Sequence, residues 1–425
     1  MSDRRGVSTQ LQSSAGTRVF AVTNVLTNHL PHGDGLIAWQ YLNRLVRRGI
    51  EVDVTAYAVS IEGDLPSGMN VHPFTANAPT TAGRSLQGMF KVAALYRRLS
   101  RGTHFDLIHQ LNPVTDPHTA LLPTDRVPLI LGPCCPPWPV TKAPSTVRKL
   151  ARLLPRALVN ACMTRQERMA SMILLTSPAA LPYMRRKDIA PERLVYVPFG
   201  VDTTVFRPAA DTEVPRIPTV LFLAVLRGEK GILTLLDAFD RVAEAIPEAG
   251  LTIVGDGPEF ETVRRRVLGS SWASRVSMPG NATRDRVPEA MQQCTVYCLP
   301  SHGEPFGMSA LEAMACGKPV VATDAGGLAY IVDAPRGGRR VAVGDADGLA
   351  RALIEILHAT PEVRASMGRH NRELAVSRYD WEVLVDRLER VYAQAVRRVP
   401  GESRVEDSAA PRSSITGAEP PRADG

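Results

Sequence analysis

The chain alternates short apolar runs with longer segments whose apolar residues recur at helical spacing. After the first run, a glycine-containing loop at 32–35 precedes a segment from Leu36 to Val46 whose apolar residues fall on one helical face. Five runs of the first half are rich in β-branched or aliphatic residues and predict buried strands: residues 18–26, 51–59, 105–111, 127–132 and 170–177. Strands that alternate with helices in this way predict β-α-β units and a parallel sheet.

A second series of the same kind begins near residue 218. The helix after its first run places Ile232, Leu235 and Phe239 on one face. Its predicted strands lie at 219–226, 251–255, 276–280, 296–300, 319–327 and 339–345. We therefore predict an α/β protein with two Rossmann-like, doubly wound domains facing each other across a cleft. Open parallel sheets bind ligands at the carboxyl ends of their strands, so a ligand is expected in that cleft.

The domain boundaries follow from these two series. A stretch at 198–218, with four prolines and little periodicity, joins them. Both ends of the chain are poor in apolar residues, and the last helical pattern precedes the C-terminal end. The predicted organisation is a disordered tail, a first Rossmann-like domain, a second one, a closing helix that crosses back to the first domain, and a second disordered tail, at residues 1–16, 17–204, 205–380, 381–398 and 399–425.

Composition narrows the possible functions. The chain of 425 residues has 50 Lys and Arg against 43 Asp and Glu, a net charge of +7 that suggests an anionic partner. Only six of the fifty cations are lysines, and such an arginine bias can reflect genome composition, so we predict no nucleic-acid partner. The six cysteines form no CxxC pair, which argues against a structural zinc site. No signal-peptide core and no apolar run of about 18 residues are found, so we expect a cytoplasmic protein.

The most informative segment is PSHGEPFGMSALEAMACGKPVVATD at 300–324. Glu304 lies on a loop after a strand, and Glu312 lies eight positions later in the following helix. The amides of Phe306, Gly307, Met308 and Ser309 are close to the predicted N-terminus of that helix, where free N–H groups favour anions. Carboxylates at such a place can accept hydrogen bonds from sugar hydroxyls. An alternative without a ligand is a capping box, because Ser309-Ala-Leu-Glu312 has its spacing.

This segment resembles the signature of family 4 retaining glycosyltransferases, which have the GT-B fold and the motif E-x7-E. Here the motif stands as E304-PFGMSAL-E312-AMACGKPVV, with proline in place of the more common glycine after Glu304. Further stretches similar to the family occur in the same order: VPFGVDTTVFRP at 197–208, LTIVGDGPE at 251–259, GNATRDRVPEAMQQCTVYCLPS at 280–301 and YDWEVLVDRLERVYAQAV at 379–396. The resemblance covers the C-terminal half closely and the N-terminal half more loosely.

The resemblance implies a set of roles. Glu304 would contact hydroxyls of the donor sugar, and Glu312 would hold the ribose of its nucleotide. Backbone amides from Phe306 to Ser309 would bind sugar and diphosphate oxygens, and residues near Gly280 would contact the base. Lys230, in the sequence GEKG, would neutralise the leaving diphosphate. The first domain would then bind the acceptor and the second the nucleotide sugar.

Two departures from the family pattern affect these roles. The family usually has an arginine five residues before the lysine, where this chain has Val225, so we assign the second cation to Arg227. The family often has two histidines at the end of the fourth strand of the first domain. Here His109 is present and Leu111 replaces the second one. His109 is a candidate contact for the donor sugar, with a buried structural histidine as the alternative.

Weaker candidates complete the set. Gly33 and Gly35 resemble a first loop that approaches the diphosphate, or they simply form a tight turn. The motif DxD occurs at Asp345-Ala-Asp347, but its position is typical of a helix N-cap. We therefore predict no metal site. No cofactor is predicted either, and the nucleotide sugar is the co-substrate. Residues 143–170 are basic with interspersed leucines. They could contact an anionic membrane peripherally at its inner face, or their leucines could pack on the domain core.

The sequence thus predicts a hexosyltransferase that moves a hexose from a UDP- or GDP-linked sugar to an acceptor, with retention at the anomeric carbon. The acceptor can be a glycan, a lipid-linked sugar or a small hydroxyl compound. Two alternatives stay open at this stage. The absent arginine and second histidine leave room for a catalytically silent sugar-nucleotide binder. Another GT-B activity, such as a nucleotide-sugar epimerase, would need a different set of acids and histidines.

Overall fold

In a computed structural model, the described residues are 16–29, 33–111, 114–136, 153–184, 188–209 and 217–397. They cluster into two compact units. Among the described residues, one unit draws on those within Met1–Leu131, Leu158–Met172 and Val385–Val399, and the other on those within Gly132–Ala157 and Ile173–Leu384. The predicted tails at 1–16 and 399–425 lie almost entirely outside the described residues, and the predicted domain boundaries stay predictions.

A seven-stranded sheet forms from the first half of the chain. Its strands are β1 (Arg18–Thr27), β2 (Glu51–Ser60), β3 (Met69–Pro73), β4 (Leu107–Gln110), β5 (Leu129–Cys134), β6 (Met172–Leu175) and β7 (Leu194–Tyr196). Their order is β3-β2-β1-β4-β5-β6-β7. The helices of this half are α1 (Gly33–Arg47), α2 (Thr81–Leu99) and α3 (Leu153–Met169).

The second sheet has six strands, and its five strand pairs are all parallel. They are β8 (Thr219–Leu223), β9 (Gly250–Val254), β10 (Val276–Gly280), β11 (Val296–Leu299), β12 (Val320–Thr323) and β13 (Gly338–Val341), in the order β10-β9-β8-β11-β12-β13. The helices are α4 (Ile232–Ala245), α5 (Phe260–Leu268), α6 (Val287–Gln292), α7 (Met308–Ala315), α8 (Leu328–Ile331), α9 (Ala346–His358), α10 (Pro361–Leu374) and α11 (Trp381–Arg397).

Apolar periodicity located most of these elements correctly. The predicted face of α4, which includes Leu235 and Phe239, is fully buried, and Asp345 caps α9 by accepting from the amide of Gly348 over 2.8 Å. Pattern reading missed β3 and β7, the two edge strands of the first sheet. Edge strands are short and need little apolar surface, so their sequences carry a weak signal.

Helix α1 begins at Gly33, whereas the sequence predicted a loop through residue 35. The reason is close packing of the helix start on β1. A Cβ atom at Gly35 would stand 2.8 Å from side-chain atoms of both Val25 and Thr27. Gly35 therefore lets the first turn of α1 approach β1 closely.

Candidate active site

Two loops that follow adjacent strands carry the charged side chains predicted for the donor site. Strands β8 and β11 pair in parallel, so their carboxyl ends meet at one edge of the sheet. The amide of His302 and the hydroxyl of Ser301 both donate to the carbonyl oxygen of Glu229, each over 2.8 Å. A Cβ atom at Gly231, where φ is +72°, would stand 1.8 Å from the carbonyl oxygen of Pro300. The two loops are in direct contact, and Gly231 permits that contact.

Lys230 and Glu304 form an ion pair between these loops, in which Glu304 is buried and Lys230 is half-buried. The lysine Nζ donates to Oε2 of Glu304 over 2.8 Å, and the two side chains are 15% and 7% exposed. Burial raises the pKa of the Glu304 carboxyl, and the nearby ammonium of Lys230 opposes that rise. The pair places a cation and a carboxylate at one point. This combination can bind a phosphate oxygen and sugar hydroxyls side by side.

The loop after β12 holds the backbone of Glu304 in place. The amide of Gly327 donates to the carbonyl oxygen of Glu304 over 2.7 Å. A Cβ atom at Gly326 would stand only 2.1 Å from that same oxygen, and Gly326 has φ +54°. A larger residue at position 326 would therefore displace Glu304.

Helix α7 presents free amide groups at its N-terminus. Its N-cap is Gly307, whose φ of +103° lies in the left-handed region. The first backbone hydrogen bond of the helix runs from the amide of Leu311 to the carbonyl oxygen of Gly307 over 3.0 Å. The amides of Met308 and Ser309 thus precede the hydrogen-bonded part of the helix, an arrangement that favours oxyanions.

The capping-box alternative for Glu312 is wrong. Ser309 is the second residue of α7, and the cap position is taken by Gly307, which makes no side-chain cap hydrogen bond. The Glu312 carboxyl is buried, and its ion-pair partner is the guanidinium of Arg284 at 3.9 Å. Burial raises the pKa of Glu312 to about 7, and Arg284 opposes the rise. A buried carboxyl with one distant charged partner is a candidate ligand-binding group.

Tyr297 is a polar residue of this region that the sequence reasoning missed. It lies on β11 and is fully buried, and its hydroxyl is 2.6 Å from the Oγ atom of Ser309 and 3.1 Å from the carbonyl oxygen of Leu223. Burial, and to a lesser extent the charges of Glu304 and Glu312, raises its pKa well above the usual value. In the apolar run VYCLP a tyrosine looks like any core aromatic, so only the structure shows what its hydroxyl contacts.

The side chain of Phe306 belongs to the core, whereas its backbone amide belongs to the candidate site. Its ring is buried and packs edge-on against Phe199 at 5.1 Å and Tyr379 at 6.4 Å between ring centroids. The predicted role for this residue concerns only its amide, which the packing of the ring fixes in position.

Arg227 and Gly280 lie on loops of the same sheet. Arg227 is the residue before a short 3₁₀ turn at Gly228–Lys230, and its side chain is 59% exposed with an ion pair to Glu229 at 3.8 Å. Gly280 ends β10 with φ +78°, and its carbonyl oxygen accepts from the amide of Gly255. Both are placed at the carboxyl ends of strands, and their predicted contacts with a donor stay predictions.

Two family descriptions match the two halves of the chain. "Glycosyl transferase 4-like domain" matches residues 35–200, and "Glycosyl transferases group 1" matches residues 210–374, which contain the whole E-x7-E segment. Together they cover more than three quarters of the sequence. The chain belongs to the family 4-like glycosyltransferases.

Curated proteins similar to this chain include two mannosyltransferases. A phosphatidyl-myo-inositol mannosyltransferase of Mycolicibacterium smegmatis is 36% identical over 202 residues, which are 47% of this chain and 51% of the relative. A GDP-mannose-dependent alpha-(1-6)-phosphatidylinositol monomannoside mannosyltransferase of Mycobacterium tuberculosis is 32% identical over 210 residues, 46% of this chain and 54% of the relative. The match thus spans about half the length of each relative.

Similar solved structures show the fold of the chain. HepE of Anabaena in complex with UDP superposes with a TM-score of 0.68 at 18% identity and covers 89% of this chain and 100% of HepE. Sucrose-phosphate synthase of Thermosynechococcus elongatus gives a TM-score of 0.66 at 23% identity, covering 89% and 98%. The predicted GT-B fold is confirmed.

His109 lies on β4 and is fully buried. Its Nδ1 atom is 2.6 Å from the hydroxyl of Tyr392 on α11, and the two rings pack edge-on at 5.6 Å. This contact ties β4 to the last helix and supports the structural alternative. A contact of His109 with the donor sugar stays a prediction. The donor contacts of Gly33 and Gly35 also stay predictions, and Gly33 is exposed at the start of α1.

Part of the basic stretch 143–170 lies outside the described residues. Within its described helix, Val159 and Met163 are buried, Arg165 donates to the carbonyl oxygen of Ala120, and Leu158 is exposed. Packing on the domain core is thus observed for one face of this segment. No helix among the described residues is long and apolar enough to cross a membrane, and those residues contain no group of three His, Cys, Asp or Glu side chains that could hold a metal.

Proposed function

We propose that the protein is a retaining glycosyltransferase that moves a hexose from a nucleotide diphosphate sugar to a hydroxyl acceptor. The observation that carries this proposal is the Lys230–Glu304 ion pair, with Nζ and Oε2 2.8 Å apart, beside the free N-terminal amides of α7. A diphosphate needs cations and N–H donors, and a sugar needs carboxylate acceptors. Both sets occur within one loop cluster.

The roles follow from this chemistry. Lys230 and Arg227 balance the negative charge that develops on the diphosphate as the bond to the sugar breaks. The helix dipole and the amides from Phe306 to Ser309 hold the phosphate oxygens. Glu304 accepts hydrogen bonds from sugar hydroxyls and orients the ring. The acceptor hydroxyl attacks from the face that the diphosphate leaves and gives its proton to a leaving-group oxygen, so no nucleophile from the protein is required.

When the donor binds, Lys230 exchanges part of its interaction with Glu304 for a phosphate oxygen. Before that exchange, the ammonium of Lys230 and the carboxylate of Glu304 satisfy each other. Glu312, buried and facing Arg284, is the matching acceptor for hydroxyls of the donor's ribose. In this scheme cations of the chain and the N-terminus of α7 carry the charge of the diphosphate.

For the donor we propose GDP-mannose, because the names of two similar relatives specify mannosyl transfer and one of them specifies GDP-mannose. Both relatives act on phosphatidylinositol or its mannoside according to their names, so a lipid-linked acceptor is the first candidate. Peripheral contact of residues 143–170 with an anionic membrane belongs to this proposal. UDP-glucose is the second donor to test, given the fold shared with a UDP complex.

The test starts with binding. Thermal unfolding of the full chain is measured with GDP, UDP, GDP-mannose and UDP-glucose, and a ligand at 100 times its Kd adds about 2.7 kcal/mol of stability. Turnover is then followed as release of nucleoside diphosphate with phosphatidylinositol vesicles as acceptor, and NMR of the first product determines its anomeric configuration. We expect stabilisation by one nucleotide family and a product with the configuration of the donor.

The variant Glu304→Gln is expected to lose nearly all turnover while it stays folded. Glu248→Gln, an exposed glutamate in the loop after α4, is the matched control and should behave as wild type. Turnover of Glu304→Gln at the wild-type rate would contradict the proposed role. Nucleotide binding without any transfer by the wild-type protein would favour the silent-binder alternative, and an inverted product would rule out retention.

A further inference from the structure

The hydroxyl of Tyr297 lies beneath the first turn of α7 and contacts two oxygen atoms. The carbonyl oxygen of Leu223 is 3.1 Å away and the Oγ atom of Ser309 is 2.6 Å away. Tyr297 itself is fully buried, and Ser309 is half-buried. The tyrosine therefore connects β8, β11 and the start of α7 through one polar atom.

The protons available decide how these contacts are made. A phenol has one proton to donate and can also accept, whereas a carbonyl oxygen can only accept. Both hydrogen bonds form together only if Tyr297 donates to Leu223 and Ser309 donates to Tyr297. Burial raises the pKa of Tyr297 well above its usual value, so its proton is retained throughout the usual pH range. The proton of Ser309 is then committed to the tyrosine.

A serine whose proton is committed in this way offers only lone pairs to a ligand. Such an oxygen disfavours phosphate, which also has only lone pairs when ionised, and favours an O–H group. Ser309 and Glu312 are three residues apart on α7 and so lie on the same helix face, and Glu312 is the acceptor proposed for the ribose. Two acceptors on one face match the two neighbouring hydroxyls of a ribose.

We propose that Tyr297 is a positioning residue of the donor site, which fixes the Ser309 hydroxyl as an acceptor for one ribose hydroxyl of the donor nucleotide. This inference rests on the proposed function, since it needs a nucleotide in the site. It assigns to Tyr297 no contact with substrate. Its effect passes entirely through Ser309, and this dependence can be measured.

The experiment is a double-mutant cycle. The quantity measured is the selectivity for ribose hydroxyls, which is the ratio of the dissociation constants of a deoxynucleotide and its parent nucleotide. Dissociation constants of GDP, 2′-deoxy-GDP and 3′-deoxy-GDP, and of the matching uridine series if UDP binds more tightly, are measured by calorimetry. The proteins are wild type, Tyr297→Phe, Ser309→Ala and the double variant. Wild type should bind one deoxynucleotide about 5- to 10-fold more weakly than the parent, as expected for one lost hydrogen bond. The ratio should fall below about 2-fold in both single variants, and Tyr297→Phe should not change it further in the Ser309→Ala background.

Controls separate this role from general destabilisation. Tyr96→Phe removes the hydroxyl of another buried tyrosine, one that lies on α2, and should keep the wild-type ratio. A Tyr297→Phe protein that binds all nucleotides more weakly but with an unchanged ratio would overturn the inference, as would an effect of Tyr297→Phe that persists in Ser309→Ala. If wild type binds neither GDP nor UDP, the proposed function fails and this inference fails with it. If it binds them with unaltered ratios in the variants, only this inference fails.

Discussion

Replacing Glu312 by glutamine should stabilise the protein without ligand at neutral pH, although it removes a proposed ligand-binding group. The carboxyl is buried, and its pKa is raised from an ordinary value of 4.5 to about 7. A group whose pKa is higher in the folded state contributes its full stability below its pKa in the unfolded chain. The contribution of Glu312 to the free energy of unfolding is therefore lost as pH rises from 4.5 to 7, because the folded protein must then hold a buried charge.

The magnitude follows from the two pKa values. Each pH unit between them corresponds to about 1.4 kcal/mol, so the ionised carboxylate costs about 3 kcal/mol above pH 7. Glutamine has nearly the same shape and never ionises. The attraction to Arg284 needs no separate correction, because it lowers the pKa of Glu312 and is already included in the value of about 7. Glu312→Gln should therefore match wild type near pH 4.5 and exceed its stability by up to about 3 kcal/mol at pH 8.

Urea unfolding at pH 5, 6, 7 and 8 measures this difference directly. Glu248→Gln provides the control for loss of an exposed carboxylate and should show a small difference that does not grow with pH. The same Glu312→Gln protein should bind the nucleotide about 10-fold more weakly, because a charged acceptor makes a stronger hydrogen bond than an amide. A stability difference that is equal at pH 5 and pH 8 would refute the reasoning, since it would mean that the carboxyl has an ordinary pKa.

Two further predictions concern packing. Gly231→Ala should abolish transfer and destabilise the protein, because the new methyl group meets the carbonyl oxygen of Pro300 at 1.8 Å and displaces Lys230. The control is Gly344→Ala, since Gly344 has a similar φ of +77° but open space around it. This variant should lose only about 1 kcal/mol of stability through backbone strain. Equal unfolding free energies for these two variants would contradict the argument. Tyr392→Phe removes the hydrogen bond to buried His109 and should lower stability by about 1–3 kcal/mol in urea unfolding, whereas an unchanged midpoint would show that this bond does not hold α11 in place.

The order of the strands and helices could be predicted from the sequence for a clear reason. Buried parallel strands and amphipathic helices impose apolar patterns of different period, and these patterns are local. The segment around Glu304 and Glu312 was equally readable, because its glycines and charges follow a fixed spacing along the chain. The edge strands β3 and β7 escaped, since an edge strand is only partly buried and leaves almost no pattern.

Other features depend on contacts between residues that are distant in sequence. The spacing of Ser309 and Glu312 fits a capping box, and only the position of Gly307 before the helix excluded it. The burial of His109 against Tyr392 joins residues 283 positions apart, and no local pattern reports such a contact.

The sequence by itself determined the fold class, the two Rossmann-like halves and the identity of the charged residues at the carboxyl ends of the strands. Periodicity and motif spacing are local properties, and they suffice for those conclusions. Only the tertiary structure decided that Lys230 and Glu304 neutralise each other, that Glu312 has a raised pKa, and that the hydroxyl of Tyr297 contacts the Oγ atom of Ser309. Desolvation and hydrogen-bond partners depend on which loops and strands pack together, and the pairs Lys230–Glu304 and Leu223–Tyr297 are each 74 positions apart in the chain.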